Sequence, residues 1–307
     1  MRIDCHNDTA LFLRQHETLA SLKDAHLDYD RVYRYLDGAF FAVFVDEKKY
    51  VHNTAEEFSS LLDLLTHDLQ NLAEGNILLW HQQLKEKNIR TPWALIYMEG
   101  AAPLGKNMEN LDRFFDMGLR AIGLTWNYDN DYGGGATEGG RLTPLGRKLI
   151  AACNKKGILL DVAHSSSQTC ADVIRYSSQP VIDSHTVCGG VYGRWPRAIS
   201  DSEMLMLADC GGVCAITMVP DFLGGRGDLD RICEHVEYAV ALVGSEHVAI
   251  GSDYDGACLH EECAGLEYRP LLIDRLRQRG MDEVDVRNVD GDSVHRLLKR
   301  VLPNKKN

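Results

Sequence analysis

Eight runs of strand length, most of them apolar through their bodies, recur along the chain, with segments of helical character between them. They cover residues 1–8, 39–45, 94–99, 120–125, 157–164, 180–185, 212–217 and 247–253. A strand that alternates apolar and polar residues keeps one face in water. A strand that is apolar throughout is covered on both faces, as in parallel sheets flanked by helices. Eight such units in 307 residues predict an α/β chain folded as a (β/α)8 TIM-type barrel, with a single domain over 1–307. A doubly wound open sheet is the alternative. It lacks a Gly-x-Gly-x-x-Gly after the first strand, so nothing favours a dinucleotide site.

The segments between the strands carry helix signals. In 53–73, Phe58, Leu61, Leu62, Leu64, Leu65 and Leu69 recur at helical spacing. Residues 109–117 read as a helix stopped by Gly118. Residues 143–156 open on Thr143-Pro144, an N-cap followed by a proline in the first turn. Ser200 and Glu203 have capping-box spacing. Further helices are expected at 167–176, 230–243, 271–279 and 292–301, and mixed helix and loop at 18–35.

The strand ends carry the chemistry. His6 and Asp8 close the first run, Glu99 the third, His164 the fifth, His185 the sixth and Asp253 the eighth. His6 and Asp8 are two apart, so in an extended strand they point the same way. Singly, each residue has an ordinary explanation: a hydrogen-bonded core histidine, a helix cap, or the start of the turn Asp253-Tyr254-Asp255-Gly256. A closed barrel brings all six to one mouth, where unpaired buried polar groups are costly. Metal resolves that cost. Three histidines and two carboxylates exceed one tetrahedral zinc and suit two metals bridged by a carboxylate. His6, Asp8 and Glu99 would hold one metal, and Glu99, His164 and His185 the other. Such ligands accept zinc, and less selectively manganese, cobalt or iron.

Composition narrows the partners. Lys plus Arg is 33 against 45 Asp plus Glu, a net charge of −12, with no basic patch to suggest nucleic acid. No apolar run reaches membrane-span length. The first strand starts at once and the end of the chain, 302–307, is polar. A cytoplasmic protein with neither leader nor lipid anchor is therefore expected. The nine cysteines are expected to be free thiols. Cys258, His260 and Cys263 match no structural zinc spacing and read as loop residues.

Several motifs together resemble the membrane (renal) dipeptidases, zinc dipeptidases of the amidohydrolase-type barrels. They are Asp4-Cys5-His6-Asn7-Asp8, Glu99-Gly100, Leu124-Thr125-Trp126-Asn127, Asp161-Val162-Ala163-His164-Ser165, Asp183-Ser184-His185 and Gly251-Ser252-Asp253-Tyr254-Asp255-Gly256. The resemblance implies a dipeptide substrate and two zinc ions bridged by Glu99 and a water or hydroxide. It implies that Asp253 handles the proton and that an arginine after the sixth strand binds the substrate carboxylate. By position that arginine is Arg197, with Arg194 as the alternative. Asn127, and Tyr128 beside it, are expected to line the substrate. The family's dimeric habit implies a homodimer.

The chain departs from the pattern at Trp126. Mammalian members carry there a histidine that contacts substrate or the oxyanion, whereas an indole keeps a single N–H donor. The implied reaction is hydrolysis of a dipeptide amide bond, including dipeptides with a D-residue at the C-terminal position. Two rival readings stay open at this point. One is a metal-dependent hydrolase of another small amide, lactone or phosphoester on the same barrel. The other is a non-catalytic barrel that binds a small ligand.

Overall fold

A computed structural model of the chain describes residues 1–15, 17–22, 24–72, 76–84 and 92–305. Eight parallel strands follow one another around a barrel: β1 (Ile3–Asn7), β2 (Gly38–Phe44), β3 (Trp93–Glu99), β4 (Leu119–Gly123), β5 (Leu159–Asp161), β6 (Val181–Cys188), β7 (Val213–Ile216) and β8 (Val248–Ile250). Each pairs with the next in sequence. The seam between β8 and β1 closes through a parallel bridge of Asn7 with Tyr254. Asp8 N donates to Tyr254 O at 2.8 Å, and Asp253 N to His6 O at 3.1 Å.

Strand periodicity sorts the apolar side chains into two cores. Ile3, Cys5, Phe40, Ala42, Leu95, Tyr97, Ala121, Leu159, Ile182, Val213, Ala215 and Ala249 belong to one buried cluster, the barrel interior. Their strand neighbours, such as Phe41, Val43, Ile96, Met98, Ile122 and Ile250, join the helices in a second. This two-sided burial explains why the strands read as apolar throughout. The last helix, α10 (Ser293–Val301), adds Val294, Leu297, Leu298 and Val301 to the interior cluster and so caps one end of the barrel.

The other helices are α1 (Tyr29–Tyr35), α2 (Thr54–Asn71), α3 (Leu111–Asp116), α4 (Pro144–Lys156), α5 (Ser167–Tyr176), α6 (Asp201–Asp209), α7 (Leu229–Val243), α8 (Arg269–Gln278) and α9 (Glu283–Arg287). The start signals act as expected. The Thr143 hydroxyl accepts from Gly146 N, and Ser200 and Glu203 exchange both bonds of a capping box. The expected ends of the α2 segment at Ala73 and of the polar tail at Lys306 and Asn307 lie outside the described residues.

The largest differences from the expected strand ends, three residues each, fall at the mouth. β5 stops at Asp161 rather than His164, and β8 at Ile250 rather than Asp253. In both places the backbone turns left-handed, at φ +63° for His164 and +65° for Asp253. β6 runs on to Cys188, because the short strand Ala198–Ile199 pairs with its extension. His185 therefore sits inside a strand, where the register with β7 shifts between Asp183 and Thr186. A second short strand, Asn76–Ile77, pairs alongside β3.

Candidate metal centre and active site

The barrel gathers the strand-end donors into one buried cluster. His6 Nε2 lies 3.3 Å from Asp8 Oδ2, 3.7 Å from Glu99 Oε1 and 3.9 Å from Asp253 Oδ1. Glu99 Oε1 is also 2.9 Å from His164 Nε2 and 3.7 Å from His185 Nε2. The two imidazole nitrogens of His164 and His185 face each other at 2.9 Å. Two ligand-type triads, His6–Asp8–Glu99 and Glu99–His164–His185, each bring their donor atoms within 4.8 Å, and Glu99 belongs to both. A third such group, His6–His185–Asp253, overlaps them. All six residues are at most 8 % exposed.

The electrostatics of the cluster suit a bound cation. Burial, with Asp8 and Asp253 nearby, holds Glu99 well above the usual carboxylate range. Burial likewise raises Asp253 to about 6, with Asp8 adding and His6 and Arg197 opposing. Burial alone would lower His6, but Glu99, Asp8 and Asp253 overcome it and raise the imidazole to about 10. His164 and His185 go the other way: burial, with Arg197 and His6 adding, drives both well below the ordinary value and keeps them neutral. The cluster thus combines crowded carboxylates, which draw positive charge onto His6, with the neutral imidazoles of His164 and His185 offering lone pairs. Divalent ions satisfy both, and this donor set fits them.

Buried carboxylates deeper in the strands hold the mouth in shape. Asp4 accepts from Ser252 N at 2.9 Å and from Ser252 Oγ at 2.5 Å, tying β1 to the segment that carries Asp253. Asp161 Oδ1 accepts from Ala163 N at 2.9 Å and Ser184 N at 3.0 Å, fixing the turn before His164 and the irregular register before His185. Ser184 Oγ lies 2.9 Å from His185 Nδ1. None of these roles was assigned from sequence. The available signal was an acidic residue inside a run buried on both faces, which must find donors.

The expected substrate residues fall into two groups. Arg197 is buried, whereas Arg194 is exposed. Arg197 Nη2 donates to His185 O at 2.7 Å, Nη1 lies 2.8–2.9 Å from both ring nitrogens of His164, and the guanidinium sits 5.5 Å from the Phe222 ring. Trp126 is half-buried. It packs on Phe44 (4.9 Å), Tyr128 (5.5 Å) and the His164 ring (5.7 Å), forming an aromatic wall beside the cluster. Asn127 directs its side-chain oxygen to His164 Nδ1 at 2.8 Å. Cys258 is exposed and Cys263 is buried against Gly227 O, outside any ligand-type group among the described residues.

Known proteins match both the architecture and the sequence. Dipeptidase verJ of Clonostachys rogersoniana is 28% identical over 331 residues, covering 97% of this chain and 84% of its own. The crystal structure of the dipeptidase AC, a metallopeptidase of family M19, superposes with a TM-score of 0.90 at 24% identity, covering 98% of both chains. A metallopeptidase from Rhodobacter sphaeroides, liganded with a phosphinate mimic of the dipeptide L-Ala-D-Ala, superposes with a TM-score of 0.88 at 24% identity, over 98% of this chain and 99% of its own. The model of the membrane dipeptidase family matches residues 1–307. Every strand that carries a donor lies inside that match, and the chain belongs to the membrane dipeptidase family, peptidase family M19.

Proposed function

We propose that this metal-dependent dipeptidase works with two zinc ions, one held by His6, Asp8 and Glu99 and the other by Glu99, His164 and His185. The observation that carries the reading is the pair of triads sharing Glu99 at the barrel mouth. When bound, the metal pair supplies Lewis acidity that activates water near neutral pH and polarises the amide carbonyl. Three imidazoles in the ligand set suit zinc, which binds such nitrogen donors well.

The chain's own residues supply the rest. Arg197 grips the free carboxylate of the substrate through its planar fork, which restricts the site to short peptides. Asp253, raised by burial to about 6, takes a proton from the attacking water and returns it to the leaving amine. Near-complete burial of the cluster excludes bulk water. Trp126 and Asn127 border the substrate on the β4 side. The phosphinate mimic bound by the Rhodobacter sphaeroides enzyme supports including dipeptides with a D-residue at the C-terminal position.

Nine unpaired cysteines, seven of them buried, support a reducing, cytoplasmic location. Among the described residues no helix is long and apolar enough to cross a membrane. A homodimer completes the proposal on the family resemblance, and sedimentation tests it.

The deciding experiment is metal analysis together with hydrolysis of a panel of L-L and L-D dipeptides, beside a chelated control. Two zinc ions per chain and cleavage that vanishes with chelator support the proposal. A fully active enzyme with one metal per chain overturns the binuclear centre. Two metals without cleavage of any dipeptide overturns the substrate.

A further inference from the structure

The imidazole of His164 can serve as a ligand only in one tautomer. Its Nε2 faces Glu99 and His185, each at 2.9 Å. Nε2 is thus the atom that would bind the metal, and as a ligand it must be bare, with the proton on Nδ1. The atom facing Nδ1 in hydrogen-bond range is Asn127 Oδ1, at 2.8 Å, and an amide oxygen is an obligate acceptor. Arg197 Nη1 is also near, at 2.9 Å from Nδ1 and 2.8 Å from Nε2. An atom equidistant from both nitrogens in the ring plane would collide with the carbon between them. The guanidinium thus lies over the ring face and leaves both in-plane positions open.

Asn127 is itself held firmly. Its backbone is left-handed at φ +52°, a conformation that Asn, Asp and Gly tolerate best. Its carbonyl accepts from Thr137 N at 2.9 Å and from Thr137 Oγ1 at 2.5 Å. The same loop is stitched to the other side of His164. Ala136 N donates to His164 O at 2.9 Å, and Gly135 bridges to Ser165. The loop after β4 and the turn after β5 therefore form one hydrogen-bonded unit around the His164 ring.

We infer that Asn127 is a positioning residue for the metal centre: its side-chain oxygen fixes the His164 tautomer and ring orientation, so that the Gly-rich loop after β4 sets the affinity of the second metal. The inference rests on the metal reading above and gives Asn127 a task beyond bordering the substrate. Partners of this kind on metal-bound histidines are typically worth 10- to 100-fold in metal affinity.

The test uses the full chain stripped of metal and titrated with zinc against a chromophoric chelator. Asn127→Gly removes the acceptor and keeps the left-handed backbone at ease. Asn127→Asp keeps both. The expected result is two zinc ions bound by the parent protein. In Asn127→Gly, affinity falls roughly 10- to 100-fold at one of the two sites, and in Asn127→Asp that site returns to within about threefold of the parent. Imidazole 15N and N–H shifts of the zinc-loaded protein supply the second readout, with His164 carrying a hydrogen-bonded Nδ1–H in the parent and that hydrogen-bond signature lost in Asn127→Gly. Equal zinc affinity in Asn127→Gly and the parent, or a His164 proton on Nε2 in the zinc-loaded parent, overturns the inference. A parent that binds no zinc overturns the metal reading itself, a different result from either.

Discussion

Gly256 offers the sharpest perturbation of the centre. It lies in the turn after Asp253, is itself exposed, and donates its N–H to Asp253 O at 3.2 Å. A Cβ placed there would overlap Asp8 Oδ2, sit 2.5 Å from Asp253 Oδ1 and lie 3.1 Å from Asp8 Cγ. Carbon–oxygen contacts settle at about 3.3–3.6 Å, so in Gly256→Ala both carboxylates must retreat by about 1 Å. Asp8 Oδ2 is the oxygen that faces His6, and Asp253 is the proposed proton carrier. A 1 Å misplacement of reacting groups costs roughly 100-fold, and here two groups move at once. The expected result is a loss of kcat/KM of at least about 100-fold, with a melting temperature close to the parent's because the methyl group itself points at the mouth and not into the core. Steady-state hydrolysis of L-Ala-L-Ala, scanning calorimetry and metal content measure the three quantities. A Gly256→Ala enzyme with parental kcat/KM would refute the placement of Asp8 and Asp253 against this turn.

The remaining expectations concern single groups. Asp253→Asn should retain both metals and lose roughly 100- to 10,000-fold in kcat, the value of a positioned proton-transfer group; single-turnover kinetics on metal-loaded enzyme checks it. Arg197→Met should lower kcat/KM for free dipeptides by roughly 10- to 100-fold, the worth of a charge-assisted contact, while C-terminally amidated dipeptides change little. His235 is buried on α7, accepts from Cys188 N at 3.1 Å and among the described residues has no hydrogen-bond partner at Nε2. Burial, with Arg231 adding, lowers its pKa from 6.5 to about 4. The unfolded chain therefore binds that proton first, and stability is lost as pH falls from about 6.5 to about 4, by at most roughly 3 kcal/mol. His235→Gln should flatten that part of the stability curve in denaturant titrations across this range.

The barrel was legible because burial on both faces leaves a direct mark on composition. Phe40 belongs to the interior cluster and Phe41 to the outer one, so alternation disappears from the sequence and the run itself becomes the signal. The gathering of the candidate donors was legible because strands end at a common mouth, and a polar residue closing an apolar run has few other places to go. Helix starts such as Thr143 and Ser200 were readable because their capping bonds are local. The mouth geometry was not readable. The shift at Ser184 and His185 depends on Asp161 from the neighbouring strand, and the extension of β6 depends on Ala198–Ile199, which pairs with it after an intervening loop. Nothing local to 180–185 encodes either contact.

Left-handed backbone connects these gaps. Among the described residues five non-glycine positions have positive φ: Met108, Asn127, His164, Asp253 and Asp255. Four of them lie at the mouth, on the loops after β4, β5 and β8. Each costs roughly 1–3 kcal/mol of backbone strain, and at the mouth tertiary hydrogen bonds offset that cost. Ala136 N and Thr125 Oγ1 hold His164 O, Asp253 N bonds to His6 O, and Thr9 and His26 hold the Asp255 carboxylate. Sequence patterns describe what a residue prefers, so they place His164 and Asp253 in the strands that lead to them. The fold overrides that preference where a side chain must turn out of the strand and into the centre. Of the proposed functional positions, Asn127, His164 and Asp253 are strained for this reason: turning these side chains inward requires a backbone that only the assembled barrel can hold.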